Sequence, residues 1–209
     1  SWTEVNNLTT ARRALGGVGI QTSALAANGY TGSNSALTEL WDGTSWTETS
    51  DTSDNGNQVG SAGSSTSAII SGGSGRSPTA STEEWTGPGA DIGAWATSGN
   101  LNSARRVMGG SGSQTASLGF GGTPAPLKAY TESYNGSSWT EVNDLNTGRD
   151  LIGGAGEYTN AVAFGGNPIT GKTEIRNRNS WTETTDVNTA RRGIGSGGTQ
   201  TSALIFGGD

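Results

Sequence analysis

Apolar residues in this chain come in short runs, bounded by glycine and small polar residues. Ala161-Val162-Ala163-Phe164 and Ala203-Leu204-Ile205-Phe206 are two such runs, and each is followed by Gly-Gly. Short apolar runs between turn residues predict strands. No segment carries apolar residues at helical spacing, and the glycine content penalises helix heavily. The chain is therefore expected to be nearly all β.

The pattern repeats. A Trp in an SWTE-like setting stands at Trp2, Trp46, Trp95, Trp139 and Trp181, at spacings of 44, 49, 44 and 42 residues. Ten residues after the Trp comes an Arg, at Arg12, Arg105, Arg149 and Arg191, while Gly56 holds that place in the second unit. A glycine-rich run follows, such as Gly109-Gly110-Ser111-Gly112, then the apolar run, then a Thr-Glu segment (LTELWDG, STEEWTG, YTESYNG, KTEIRNR). Each unit reads as four strands: A, the glycine-rich run; B, the apolar run; C, the Thr-Glu segment; and D, the SWTEV segment. Asp42-Gly43 and Asn135-Gly136 lie between C and D, and such dipeptides suit tight hairpin turns. Repeats of about 40–50 residues with strand content are the mark of propeller blades. Blades taper toward a central axis, so crowding there explains why strand A carries Gly, Ala and Ser.

The order of Arg, Gly-Gly-terminated apolar strand, Tyr or Trp, and WTEV resembles the Kelch repeat over the whole chain. In that family the Gly-Gly ends the second strand and the Trp lies on the outer strand; here these correspond to Gly121-Gly122, Gly165-Gly166 and Gly207-Gly208, and to the five SWTE-type Trp. The resemblance implies an all-β fold, a five-bladed Kelch-like β-propeller forming one domain over 1–209, with units at about 1–44, 45–93, 94–137, 138–179 and 180–209. In the family a D strand from the opposite terminus often completes the last blade. Residues 1–5 are a D strand with no blade before it, and the last unit has A and B but no C, so the N-terminal strand is expected to close the fifth blade. The chain starts at Ser1 rather than Met, which points to a processed, excised or partial chain. The wording SWTEVND, LNTAR and TESYNG also resembles Gly-rich Kelch-like repeats in structural proteins of marine bacteriophages and environmental bacteria.

Composition narrows the chemistry. Only 30% of the residues are hydrophobic and 14% charged, which alone would suit disorder, but seven Trp at regular intervals argue for a packed core. The net charge is −6, the wrong sign for displacing counterions from phosphates, so neither nucleic acid nor an anionic membrane surface is an expected partner. With no Cys and no His, there is no disulfide, thiolate metal site, cysteine nucleophile or Ser-His-Asp triad. The copper oxidation hosted by one Kelch-type propeller needs His and a Cys-linked Tyr, so it does not carry over. No cofactor is expected. No apolar stretch approaches the roughly 20 residues of a membrane-spanning helix.

In an antiparallel four-stranded blade the D–A and B–C connections share one face, and here they hold the Arg residues and the most variable loops, at 27–32, 75–78, 124–128 and 168–172. Loops on a rigid scaffold concentrate binding residues, which makes this the candidate recognition face. Arg12, Arg105, Arg149 and Arg191 are candidates for a ring that grips carboxylate, sulfate or phosphate. Equally, Glu39, Glu83, Glu132 and Glu174 recur in every C strand, and each Arg can instead pair with a Glu as scaffold. Trp41, Trp85 and Tyr134 share one repeat position, taken by Arg176 in the fourth unit, and suit sugar stacking or packing between blades. The five D-strand Trp are expected in the core. Glu83 and Glu84 are adjacent on a strand and point to opposite faces, so they cannot flank one glycosidic bond. Asp51, Asp54 and Asn57 match no recognised Ca²⁺ loop, and Asn7-Leu8-Thr9 and Asn135-Gly136-Ser137 are glycosylation acceptors in form only.

The sequence thus suggests a non-catalytic binding or structural propeller at a virion or cell surface, recognising a glycan or protein, with other virion or surface proteins, a glycan receptor or further copies of itself as partners. The alternatives are a purely architectural fibre or decoration domain, and a hydrolase or lyase working with carboxylates and Arg.

Overall fold

A computed structural model describes residues 2–75, 79–87 and 93–209. Four antiparallel sheets follow one another along the chain, each meandering A-B-C-D. The first holds β1 (Gly16–Ile20), β2 (Ser23–Ala27), β3 (Thr38–Trp41) and β4 (Trp46–Glu48). The second holds β5 (Gly60–Gly63), β6 (Ser67–Ser71), β7 (Thr82–Thr86) and β8 (Ala94–Thr97). The third holds β9 (Gly109–Ser113), β10 (Ala116–Phe120), β11 (Thr131–Tyr134) and β12 (Trp139–Val142). The fourth holds β13 (Gly153–Glu157), β14 (Asn160–Phe164), β15 (Thr173–Asn177) and β16 (Ser180–Thr184). A two-stranded sheet, β17 (Gly195–Thr199) with β18 (Ser202–Phe206), ends the chain. No helix occurs among the described residues. The A strands β1, β5, β9, β13 and β17 neighbour one another in chain order, which is the arrangement of a β-propeller.

The glycines of strand A are there for close approach. A Cβ on Gly110 would lie 2.6 Å from the Ser61 carbonyl oxygen of the preceding blade, and one on Gly154 would lie 2.6 Å from that of Gly110. Any side chain at either place pushes neighbouring blades apart. The apolar B strands fill the space between blades instead. Leu118 and Phe120 of the third blade pack with Ala161, Ala163 and Trp181 of the fourth, and Ala62 and Ile69 of the second with Met108, Tyr134 and Trp139 of the third. Burying each large apolar side chain contributes about 1.5–3 kcal/mol.

Three expectations need correction. The fifth unit is a two-stranded sheet, not a blade, and residues 2–8 form no strand. In all four complete blades strand D pairs with C. No C strand, the partner of D in every complete blade, stands beside β18 to receive an N-terminal D strand. The N-terminal segment crosses from the fifth sheet to the first as an extended chain. The Trp2 ring lies 5.6 Å from that of Phe206, Asn6 Nδ2 donates to the Thr44 carbonyl, and the Thr9 N–H donates to Glu39. Nor do the five Trp have equal sites: Trp139 and Trp181 are buried, Trp46 and Trp95 half-buried, and Trp2 is 79% exposed.

Candidate functional site on the D–A and B–C face

The backbone places the D–A and B–C connections side by side, as the meander requires. Arg13 bridges Tyr30, Asn57 bridges Ser74, Arg106 bridges Thr123 and Asp150 bridges Asn167, each pair joining a D–A connection to the B–C loop of its blade.

The Arg residues of these connections are scaffold in three of four cases. Arg105 Nη1 donates to the carbonyls of Gly121 and Tyr130, both at 2.8 Å, and its Nη2 pairs with Glu132 at 2.7 Å. Arg149 repeats this with Gly165, Lys172 and Glu174, and Arg12 pairs with Glu39. These guanidinium groups are buried and present nothing to an external anion. The other Glu oxygen accepts a backbone N–H from the D–A connection, from Thr9, Asn102 or Asn146. The Arg105 and Arg149 trios therefore tie strand C, the Gly-Gly turn and the D–A connection together, while Arg12 reaches the Ala26 carbonyl of strand B instead. At Glu39 burial raises the pKa, but the Thr9 N–H and the Arg12 guanidinium outweigh it and hold the carboxyl below its ordinary value. Burial lowers the pKa of Arg105, with Glu132 opposing the shift.

Arg191 departs from this pattern. It donates to the Gly207 carbonyl at 3.1 Å, as Arg105 and Arg149 do to those of Gly121 and Gly165, but no carboxylate pairs with it among the described residues, and it is half-buried. The strand that would carry the Glu is the C strand absent beside β18.

The aromatic candidates are packed away. Trp41, Trp85 and Tyr134 are buried and each lies against the D-strand Trp opposite it, with ring centroids 5.4, 5.4 and 5.1 Å apart. Arg176 substitutes by placing its guanidinium 5.8 Å from the Trp181 ring. Stacking on a sugar is therefore closed to these rings. Burial and the hydrogen bond to Glu84 push the Tyr134 hydroxyl up to about 12. Glu83 and Glu84 face opposite ways, Glu83 to the N–H groups of Ser53 and Asp54, Glu84 to Ser98 and Tyr134. Asp51 and Asn57 are occupied separately, by Thr38 and Asn34, and no metal-type cluster occurs among the described residues.

Two features of this face were not apparent from sequence. Tyr130 is exposed with the Lys128 ammonium 5.4 Å from its ring, and the half-buried Tyr30 carries the Arg13 guanidinium at 5.1 Å. Between the first and second blades lies an open cavity of about 330 Å³, lined among others by Asn28, Asp54, Gly56, Gly72, Ser81 and Glu83. Of the candidate loop 75–78, Arg76, Ser77 and Pro78 lie outside the described residues.

No family model and no curated protein matches the sequence. The fold matches solved structures. One, the structure of YjhT, superposes with a TM-score of 0.79 at 11% identity, covering 98% of this chain and 75% of that one. At that identity the likeness shows the propeller fold alone.

Proposed function

We propose that the chain is a non-catalytic binding propeller, a Kelch-like virion or cell-surface module that recognises a glycan or a protein through its D–A and B–C face. One observation carries the reading. The repeat aromatics are spent on packing, while Tyr30 and Tyr130 stand on the variable loops, each backed by a cation. An aromatic face beside a hydrogen-bond donor suits a sugar ring or a protein side chain. The SWTE and TESYNG wording supports a phage structural setting. Glycan arrays, and binding assays against panels of bacterial surface proteins, test it. The Tyr30→Ala/Tyr130→Ala double variant is expected to lose the signal while melting within a few degrees of the parent. A signal equal to the parent's rejects the face.

The open fifth sheet favours a second reading, an architectural domain of a larger assembly. Strand β18 exposes Leu204 and Phe206, and a strand laid along its free edge, from this chain or from another molecule, would cover them. The register repeated elsewhere defines the guest: Thr opposite Phe206 and Glu opposite Ile205, within reach of Arg191. A peptide with the sequence of residues 129–137 should bind this edge, and its Glu→Gln version about tenfold more weakly. Equal binding of the two peptides, or none, rejects the reading.

A further inference from the structure

The cavity between the first and second blades sits where the repeat places an Arg side chain. Gly56 occupies the position of Arg12, Arg105 and Arg149. Counterparts of the groups those side chains bind are kept in the second blade. Glu83 stands for Glu132 and Glu174 and is buried, with its Oε2 on the Ser53 N–H and its Oε1 on the Asp54 N–H where theirs meets the Arg; the Gly72 carbonyl stands for those of Gly121 and Gly165; the Ser81 carbonyl stands for those of Tyr130 and Lys172. The backbone bond from the Gly72 N–H to the Ser81 carbonyl matches that from Gly121 to Tyr130, so the turn has not collapsed. All three groups line the cavity.

We propose that this cavity is a receptor site for a guanidinium group. Two carbonyls and one carboxylate offer the acceptor set that the chain's own Arg105 and Arg149 satisfy in the neighbouring blades. A planar fork of N–H donors matches that set, whereas an ammonium group offers a compact point charge. Asn28 also lines the cavity, but its Nδ2 is engaged by Ser35, Thr52 and Asp54 and its Oδ1 is closed off from solvent. The ligand is a free arginine-like molecule or the arginine of a peptide. The inference stands on this cavity and does not need the glycan or protein reading above.

Titration calorimetry of the full 209-residue chain with methylguanidinium and methylammonium tests it. Methylguanidinium is expected to bind, and methylammonium about tenfold more weakly or not at all. Free L-arginine and N-acetyl-arginine amide then distinguish the two sources: preference for the first marks a small-molecule site, preference for the second a peptide side chain. Glu83→Gln should weaken methylguanidinium binding by about tenfold or more. Gly56→Arg, at a position whose Cβ meets nothing closer than 3.7 Å, should raise Tm and abolish binding by filling the site from within. It keeps the test decisive should Glu83→Gln fail to fold. Equal affinity for both probes, or binding that survives in Gly56→Arg, overturns the proposal. So does binding seen only in Arg76→Ala, which would make the chain's own Arg76 the occupant.

Discussion

Replacing Arg149 with Ala is expected to lower the unfolding free energy by about 3–5 kcal/mol, the cost of stripping one partner from a buried ion pair. Glu174 is fully buried, and without Arg149 it keeps only the N–H and side-chain amide of Asn146 as donors. The carbonyls of Gly165 and Lys172 lose their common donor as well. The size of the effect comes from the charge left behind and not from a large net attraction in the pair. A double variant, Arg149→Met with Glu174→Leu, should therefore recover much of the loss. Urea denaturation of the three proteins checks this. A loss below about 1 kcal/mol in Arg149→Ala, the range of exposed ion pairs, would mean that the guanidinium is solvated in solution.

Trp139→Ala is expected to cost a similar amount, about 3–5 kcal/mol, by leaving a cavity between the second and third blades. Its ring is buried against Tyr134, and its Nε1 donates to Thr82 of the preceding blade at 3.0 Å. The same change at Trp2 should cost less than about 1 kcal/mol, since most of that ring faces solvent. Thermal melts of the two variants, side by side, separate the buried repeat position from the exposed one. Equal losses would mean that the N-terminal segment is as firmly built in as the blades.

Most of the fold was legible because each strand is written several times over. The Thr-Glu pair of strand C recurs in phase with the Arg of the D–A connection, and the structure joins them at Glu132 and Glu174. The fate of residues 2–8 was not legible, because whether a segment becomes a strand depends on the edge it meets, and β18 lacks its C strand. The recognition face was legible as a face, from loop variability, but not in its residues. Trp41 and Trp85 look exposed or buried only once the neighbouring blade is in place, and the same holds for Tyr130. The cavity was half legible. Gly56 in an Arg position and Glu83 conserved in register within the repeat were both in view. What sequence does not say is that Gly72 and Ser81 keep their carbonyls in place when the side chain that bridges them is gone.

The seat of Trp2 has a consequence for the symmetry of the ring. Three D-strand Trp belong to the blade that follows the one they lean on: Trp95 donates to Thr38, Trp139 to Thr82 and Trp181 to Thr131, and the Trp181 ring lies 5.1 Å from Phe120. Phe206 is the fifth unit's counterpart of Phe120, and Trp2 leans on it. Trp2 therefore meets the fifth sheet as Trp181 meets the third blade, without a sheet of its own. From there the chain lands on Glu39 of the first blade with Thr9 and Arg12, as a D–A connection does everywhere else. The N-terminal segment thus spans the gap between the fifth and first sheets, with its first ring against one and its Thr9 and Arg12 against the other.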